Sequence, residues 1–456
     1  MRMSIHRAVA SLAWRVLIAG VIACTLGPGG VRAQGAAESA ETRARAFVAL
    51  MADGQFARAF ETFTPQMRAA LPVERLSATW NGLTAQAGPF RRQTTASIVP
   101  RGVLSVVVIT CEFERATLDV HVTVNPANLV GGLFFRPAAQ AVAYTPPAYA
   151  NAAAYAESEV TVGTGQWALP ATLTMPIGPG PVPAVVLVHG SGPGDRDATV
   201  GQIKLFKDLA LGLASRRIAV LRYEKRTRAH ADLMRGLPGL TVKDETIDDV
   251  LAAVQVLRST AAVDPNRIVV LGHSLGGMLV PRIAAAGPPV AGFVVMAGAA
   301  RPIQQAVVEQ AQYLAQADGA TSAEEQAQID QMKQVMTRIT AMGPADASNP
   351  ERIFGAPASY WLDLRGYDPP AAAAQVKQPM IVLQGERDYQ VTMEEFSRWK
   401  AALANRTDVS FHSYPTLNHL FVAGTGPSVP AEYNTTAHVS ELVVRDIATW
   451  ILTVPH

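Results

Sequence analysis

Hydrophobic positions along the chain follow three successive rhythms. Over residues 41–75, Phe47, Leu50, Met51, Phe56, Phe60 and Phe63 recur at helical spacing, and Asp53-Gly54 marks a break. After Pro89 the period shortens. The stretch "SVVVITCEFERATLDVHVTVN" (105–125) alternates and is rich in β-branched residues, which predicts antiparallel strands around a turn near Arg115. Helices followed by strands predict a small α+β domain over 41–135. Residues 136–157, rich in Pro and Ala with little periodicity, read as a linker.

From residue 158 the rhythm changes again. "VTVGTGQWALPATLTMP" predicts a hairpin. Short, largely apolar runs then alternate with helical segments: "AVVLVHG", "IAVLRYE", "IVVLGHS", "GFVVMAG" and "PMIVLQG". Runs with no polar face belong in a parallel sheet covered on both sides. This predicts an α/β fold over 158–456, a doubly wound and mostly parallel sheet. The alternation stops between Pro302 and Pro370, where a Gln-, Ala- and Met-rich stretch predicts helix from 303 to about 342. An insertion at that place reads as a cap, about 303–370. Met332, Met336, Ile339 and Met342 share one helix face, which either packs on the core or roofs a pocket. No internal repeat is apparent.

The first residues stand outside this plan. Arg2, His6, Arg7 and Arg15 form a basic leader, an apolar run from Val16 to Leu26 follows, and Val31-Arg32-Ala33 offers small residues at a cleavage site. Residues 1–33 therefore read as a secretory signal peptide, and the protein as exported, periplasmic or secreted. The run is shorter than the ~20 residues a membrane span needs. Cys24, preceded by Val21-Ile22-Ala23, offers a lipoprotein signal as an alternative. Cleavage after Ala33 leaves Cys111 as the single cysteine, a core thiol by its strand setting, so no internal disulfide forms.

A chain of 456 residues with 49% apolar content accommodates two cores, and a net charge of +2 points to neither nucleic acid nor an acidic polymer as partner. The candidate chemistry lies in "IVVLGHSLGGML" (268–279). There a predicted strand ends in Gly-x-Ser-x-Gly and a helix follows, the context of a nucleophile elbow at Ser274. Gly272 and Gly276 suit a tight approach of neighbouring backbone. A serine hydroxyl needs a base, and the base an orienting acid, in the order Ser…Asp/Glu…His. Asp388, in the loop after "PMIVLQG", and His419, in the loop that follows the strand opening "VSFHSYPTLNHLF", fit that order. Glu386 is the competing acid, and loop position favours Asp388. Among other histidines, His412 lies in a strand pattern, His438 falls in the closing helix, and His273 packs at the elbow.

A tetrahedral oxyanion needs two preorganised N–H donors. Leu275 is one candidate, and Ser191, with Gly192 next, is the other, in "VVLVHGSGPGDRD" (185–197). Asp195, Arg196 and Asp197 are expected to pair with "RYEKRTR" at 222–228. No Zn-type Cys/His spacing, Walker-type phosphate loop or dinucleotide fingerprint stands in a fitting context, so neither cofactor nor metal is expected.

Residues 158–456 resemble the bacterial α/β-hydrolase carboxylesterases of the esterase D type. The resemblance rests on "HGSGPGDRD", "FKDLALGLASRRIAVLRYEKRT", "GHSLGGML", "LQGERDYQV" and "LNHLF". Glu224 stands in "RYEKRT" where Asp is more usual, a change expected to be neutral. In layout, the preceding segment is similar to the small cystatin- or NTF2-like domain of unknown function found ahead of secreted hydrolases of this fold. The resemblance implies a cofactor-free serine carboxylesterase acting on small-molecule short acyl esters, with Ser274, Asp388 and His419 as triad. The alternatives are a serine peptidase or thioesterase of the same fold, or a catalytically silent hydrolase-fold binding protein.

Overall fold

A computed structural model of the chain describes residues 33–101, 104–138, 144–237, 239–317, 319–349 and 351–455. The expected signal peptide, with Cys24, lies outside the described residues but for Ala33. The chain divides into two compact units, Met1–Ala143 and Tyr144–His456.

The first unit carries helix α1 (Ala33–Ala52), two short helices, helix α2 (Val73–Ala87) and an antiparallel sheet of β1 (Phe90–Arg101), β2 (Leu104–Phe113), β3 (Thr117–Val124) and β4 (Val130–Pro137), paired in that order. Alternation does what the period dictates. Val107, Ile109, Cys111 and Phe113 of β2 and Val120, Val122 and Val124 of β3 point to one buried side, where Phe47, Met51, Leu76 and Trp80 of the helices cover them. Burial pushes the Cys111 thiol up to about 12. The flanking strands β1 and β4 carry no clean alternation in sequence. They are the sheet's edges, and Arg91, Arg92 and Gln93 of β1 are left partly or fully exposed.

The second unit is built on an eight-stranded sheet. Its strands are β5 (Tyr155–Val162), β6 (Leu169–Pro176), β7 (Val182–Val188), β8 (Ala219–Tyr223), β9 (Val263–His273), β10 (Gly292–Met296), β11 (Met380–Gly385) and β12 (Val409–Tyr414), in spatial order β12-β11-β10-β9-β7-β8-β6-β5. The β5–β6 hairpin and the β6–β8 pair are antiparallel; every other pairing is parallel. Helices α3 (Leu205–Ala214), α4 (Asp248–Arg258), α9 (Met393–Ala402) and α10 (Glu441–Thr453) enclose it. Strand β7 shows why the central runs are largely apolar. Ala184, Val186 and Val188 join one hydrophobic cluster, and Val185 and Leu187 join the cluster on the opposite face. Each fully buried Val or Leu contributes roughly 1.5–3 kcal/mol, so a polar residue on either side would be costly.

Of the stretch 136–157, expected as a linker, the described residues are held in structure. Strand β4 runs to Pro137, and from Tyr144 the chain packs on the second unit. The Tyr144 hydroxyl donates to Asp208 at 2.7 Å and the Tyr149 hydroxyl to the Val439 carbonyl at 2.9 Å, and β5 begins at Tyr155. The Pro and Ala content masked three tyrosines that anchor the segment.

The insertion between β10 and β11 forms helices α6 (Ile303–Gln316) and α7 (Ala323–Ala341), a two-strand hairpin (Arg352–Ile353 with Ala356–Pro357) and helix α8 (Ala358–Asp363). The helical stretch expected over 303–342 consists of two helices. Gly319 takes φ +94, and Ser322 caps the start of α7 in a reciprocal pair with Glu325. Met336 and Ile339 are buried in the main core cluster, which also holds Tyr360 and Trp361, while Met332 and Met342 are half-buried against it. At its base the insertion is pinned by Arg301, whose guanidinium donates to Glu395 and Glu309.

Candidate active site

The candidate residues lie on loops that leave the carboxyl ends of β7, β9, β11 and β12, the edge at which open α/β sheets bind ligands. Strand β9 ends at His273, and the four-residue helix α5 (Leu275–Met278) begins directly after Ser274. Ser274 takes φ +55 and ψ −117, a conformation few side-chain-bearing residues adopt. Its N–H donates to the Met296 carbonyl at 2.9 Å. The flanking glycines are sterically required. A Cβ on Gly272 would lie 2.2 Å from the Gly276 carbonyl oxygen, and one on Gly276 would lie 2.5 Å from that of Val188. Leu275 is the first residue of the turn, so its N–H has no place in the helical ladder.

The loop after β7 runs alongside. A Cβ on Gly190 would meet Ser274 Cβ at 3.0 Å and Oγ at 3.6 Å, so this loop's backbone lies against the serine. Ser191, next in sequence, is exposed. The His189 imidazole is buried and its Nε2 donates to the Tyr223 carbonyl at 2.6 Å; burial pushes it down to about 4. Further along the loop, Arg196 pairs with Glu224 at 3.1 Å and Glu159 at 2.5 Å, and Asp197 pairs with Arg222 and with Lys204 at 3.0 Å.

His419 Nδ1 lies 2.6 Å from Asp388 Oδ2, and both side chains are buried. The other Asp388 oxygen accepts from the Gln390 and Val391 N–H groups at 2.7 and 2.9 Å, and Gln384 Nε2 donates to Oδ2 at 3.2 Å. A carboxylate oxygen accepts, so His419 Nδ1 is the donor of this pair and Nε2 is the ring nitrogen not engaged with Asp388. Glu386 is exposed and accepts from Ser413 Oγ instead. His273 Nε2 donates to the His419 carbonyl at 3.0 Å, and the two rings are 4.7 Å apart, which ties the His419 loop to the turn at Ser274. Burial pushes His273 down to about 3. His412 lies 3.5 Å from Asp446, and His438 sits on a loop before α10, not within it, bonded to Asp208.

The reading from sequence alone missed Gln384, a lone polar residue in the apolar run "PMIVLQG"; that break in pattern is the signal that could have found it. It also missed that helix α6 touches the loop that carries Asp388. Tyr313 stacks on Tyr389 at 5.2 Å, and Gln310 donates to the Gln390 carbonyl. Among the described residues no group of three or more His, Cys, Asp or Glu side chains converges as a metal site would.

Comparison with known proteins gives two family matches. A model described as the alpha/beta hydrolase family matches residues 185–435, and one described as a protein of unknown function, DUF3887, matches 44–133. Esterase EstD of Thermotoga maritima is 37% identical over 406 residues, which span 89% of this chain and 94% of that protein. Among solved structures, Est1E from Butyrivibrio proteoclasticus is 16% identical over 64% of this chain and 97% of its own, with a TM-score of 0.41. A Pyrobaculum calidifontis esterase is 17% identical over 66% and 87%, with a TM-score of 0.42.

Proposed function

The chain belongs to the alpha/beta hydrolase family, and on that premise we propose that it is an exported serine carboxylesterase that cleaves short acyl esters through an acyl-enzyme. The observation that carries this reading is the 2.6 Å bond from His419 to Asp388, on a loop tied to the strained Ser274 elbow. His419 Nε2 takes the proton of Ser274 Oγ as the oxygen attacks the ester carbonyl. Asp388 holds the imidazole in the required tautomer and stabilises its charged form. The N–H groups of Leu275 and Ser191 bind the oxyanion, and a tetrahedral intermediate forms. The leaving alcohol takes the proton from His419, and the acyl group stays on Ser274. Water, deprotonated by His419, then releases the acid and restores the serine.

The 37% identity to a protein named as an esterase supports ester chemistry. The experiment that tests the reading pairs fluorophosphonate labelling with a panel of acyl esters graded by chain length and one aminoacyl amide. Labelling that depends on Ser274, with ester turnover exceeding amide turnover, supports it. Preference for the amide would favour a peptidase, and an unlabelled Ser274 would leave a binding protein. Export rests on the leader over 1–33; amino-terminal sequencing of protein from the periplasm or medium should begin at Gln34.

A further inference from the structure

The loop against Ser274 is held from behind by a buried lysine. Lys225 follows β8, and its side chain is 2% exposed. Its ammonium donates to the Gly190 carbonyl at 2.7 Å, and its backbone N–H donates to the Gly194 carbonyl at 3.1 Å, so one residue grips both ends of the Gly190–Gly194 turn. Glu245, itself buried, pairs with Lys225 Nζ at 2.7 Å. Glu245 stands in the π-helical turn Lys243–Ile247, an irregularity often found at functional sites. Its second oxygen accepts from the hydroxyl of Tyr360 at 2.7 Å, and Tyr360 lies on α8 of the insertion.

Stability alone gives this pair a weak reason to exist. Two buried charges lose hydration, and well-packed apolar residues of similar size often serve as well or better. The contact with Gly190 has a further effect. The Gly190–Ser191 peptide is planar and trans, so its C=O and N–H point in opposite directions. Fixing the carbonyl toward Lys225 fixes the Ser191 N–H away from it. A carbonyl that accepts from a cation also polarises the peptide and strengthens its N–H as a donor.

We propose that Lys225, held by Glu245 and Tyr360, is the positioning residue for the Ser191 oxyanion donor, so that the chain Tyr360–Glu245–Lys225–Gly190 links the insertion to the oxyanion hole. This rests on the ester-hydrolase reading. The test compares Lys225→Met and the double variant Lys225→Met/Glu245→Gln, which leaves no unpaired buried charge, with the unaltered protein. The readouts are kcat, KM, melting temperature and inhibition by a trifluoromethyl ketone that forms a tetrahedral adduct. Removing a whole oxyanion donor typically lowers kcat by about 10²–10³-fold. Mispositioning one should lower it by roughly 10–10²-fold, with KM within about threefold and inhibitor affinity falling alongside kcat/KM. The double variant should regain melting temperature without regaining kcat. A kcat that recovers with stability, or is unchanged in Lys225→Met, overturns the proposal while leaving the esterase reading intact. An unaltered protein that neither labels with fluorophosphonate nor hydrolyses esters overturns both.

Discussion

Ser274 holds φ +55 between two glycines that cannot be enlarged, and Asp388 has hydrogen bonds at both oxygens. Replacing Ser274 by Ala should lower ester turnover by roughly 10⁴-fold or more with the fold retained, because residues of such a unit fail together. Asp388→Asn should be comparably severe, since an amide favours the wrong imidazole tautomer. Glu386→Gln should be close to neutral, as Glu386 is exposed and bonded to Ser413; steady-state kinetics on the three variants checks this order. Asp388 was readable as a candidate because it lies in the loop directly after a strand. Gln384 was not, because its role is to hold another side chain and no spacing marks it. The neighbouring histidines set an acid limit. His189 and His273 are pushed down to about 4 and about 3 from an unfolded value near ~6.5. The unfolded chain therefore binds more protons between about pH 6 and pH 4, and stability falls as pH falls through that window, by roughly 1.4 kcal/mol per pH unit for each histidine. In His273→Gln the amide can still donate to the His419 carbonyl. Urea unfolding at stepped pH should then show that one histidine's share of the slope is gone.

Elements differed in legibility according to how completely they are buried. The central strands are apolar on both faces, so β7 to β11 stand out in the sequence. The edge strands β1 and β4 bury less and repeat no pattern, and only pairing partners reveal them. The Met face of α7 was legible as a face, but its periodicity could not say what lay opposite. Met336 and Ile339 prove to be buried in the main core cluster. Met336→Ala should therefore cost about 2–5 kcal/mol, read from denaturant unfolding, with acyl chain-length preference unchanged. A shift toward longer acyl groups without loss of stability would make Met336 a pocket wall.

At the scale of the whole chain, the two units have separate cores that share no residue. A fragment of residues 144–456 should keep ester turnover. One beginning at 158 should be less stable by at least about 1–3 kcal/mol in denaturant unfolding, because Asp208 loses the Tyr144 hydroxyl inside the protein. The boundary at 144 was hidden in the sequence, since tyrosines spaced among Ala and Pro show no period although each finds a partner or a strand. Cys111 gives the division a chemical consequence. Its sulfur is sealed in the first unit's sheet and kept as a thiol at neutral pH, while it is the thiolate that attacks alkylating reagents. Modification must wait for that unit to open. With Cys24 changed to serine, the alkylation rate becomes a clock for openings of the amino-terminal half, running beside a turnover assay that reports only on the other.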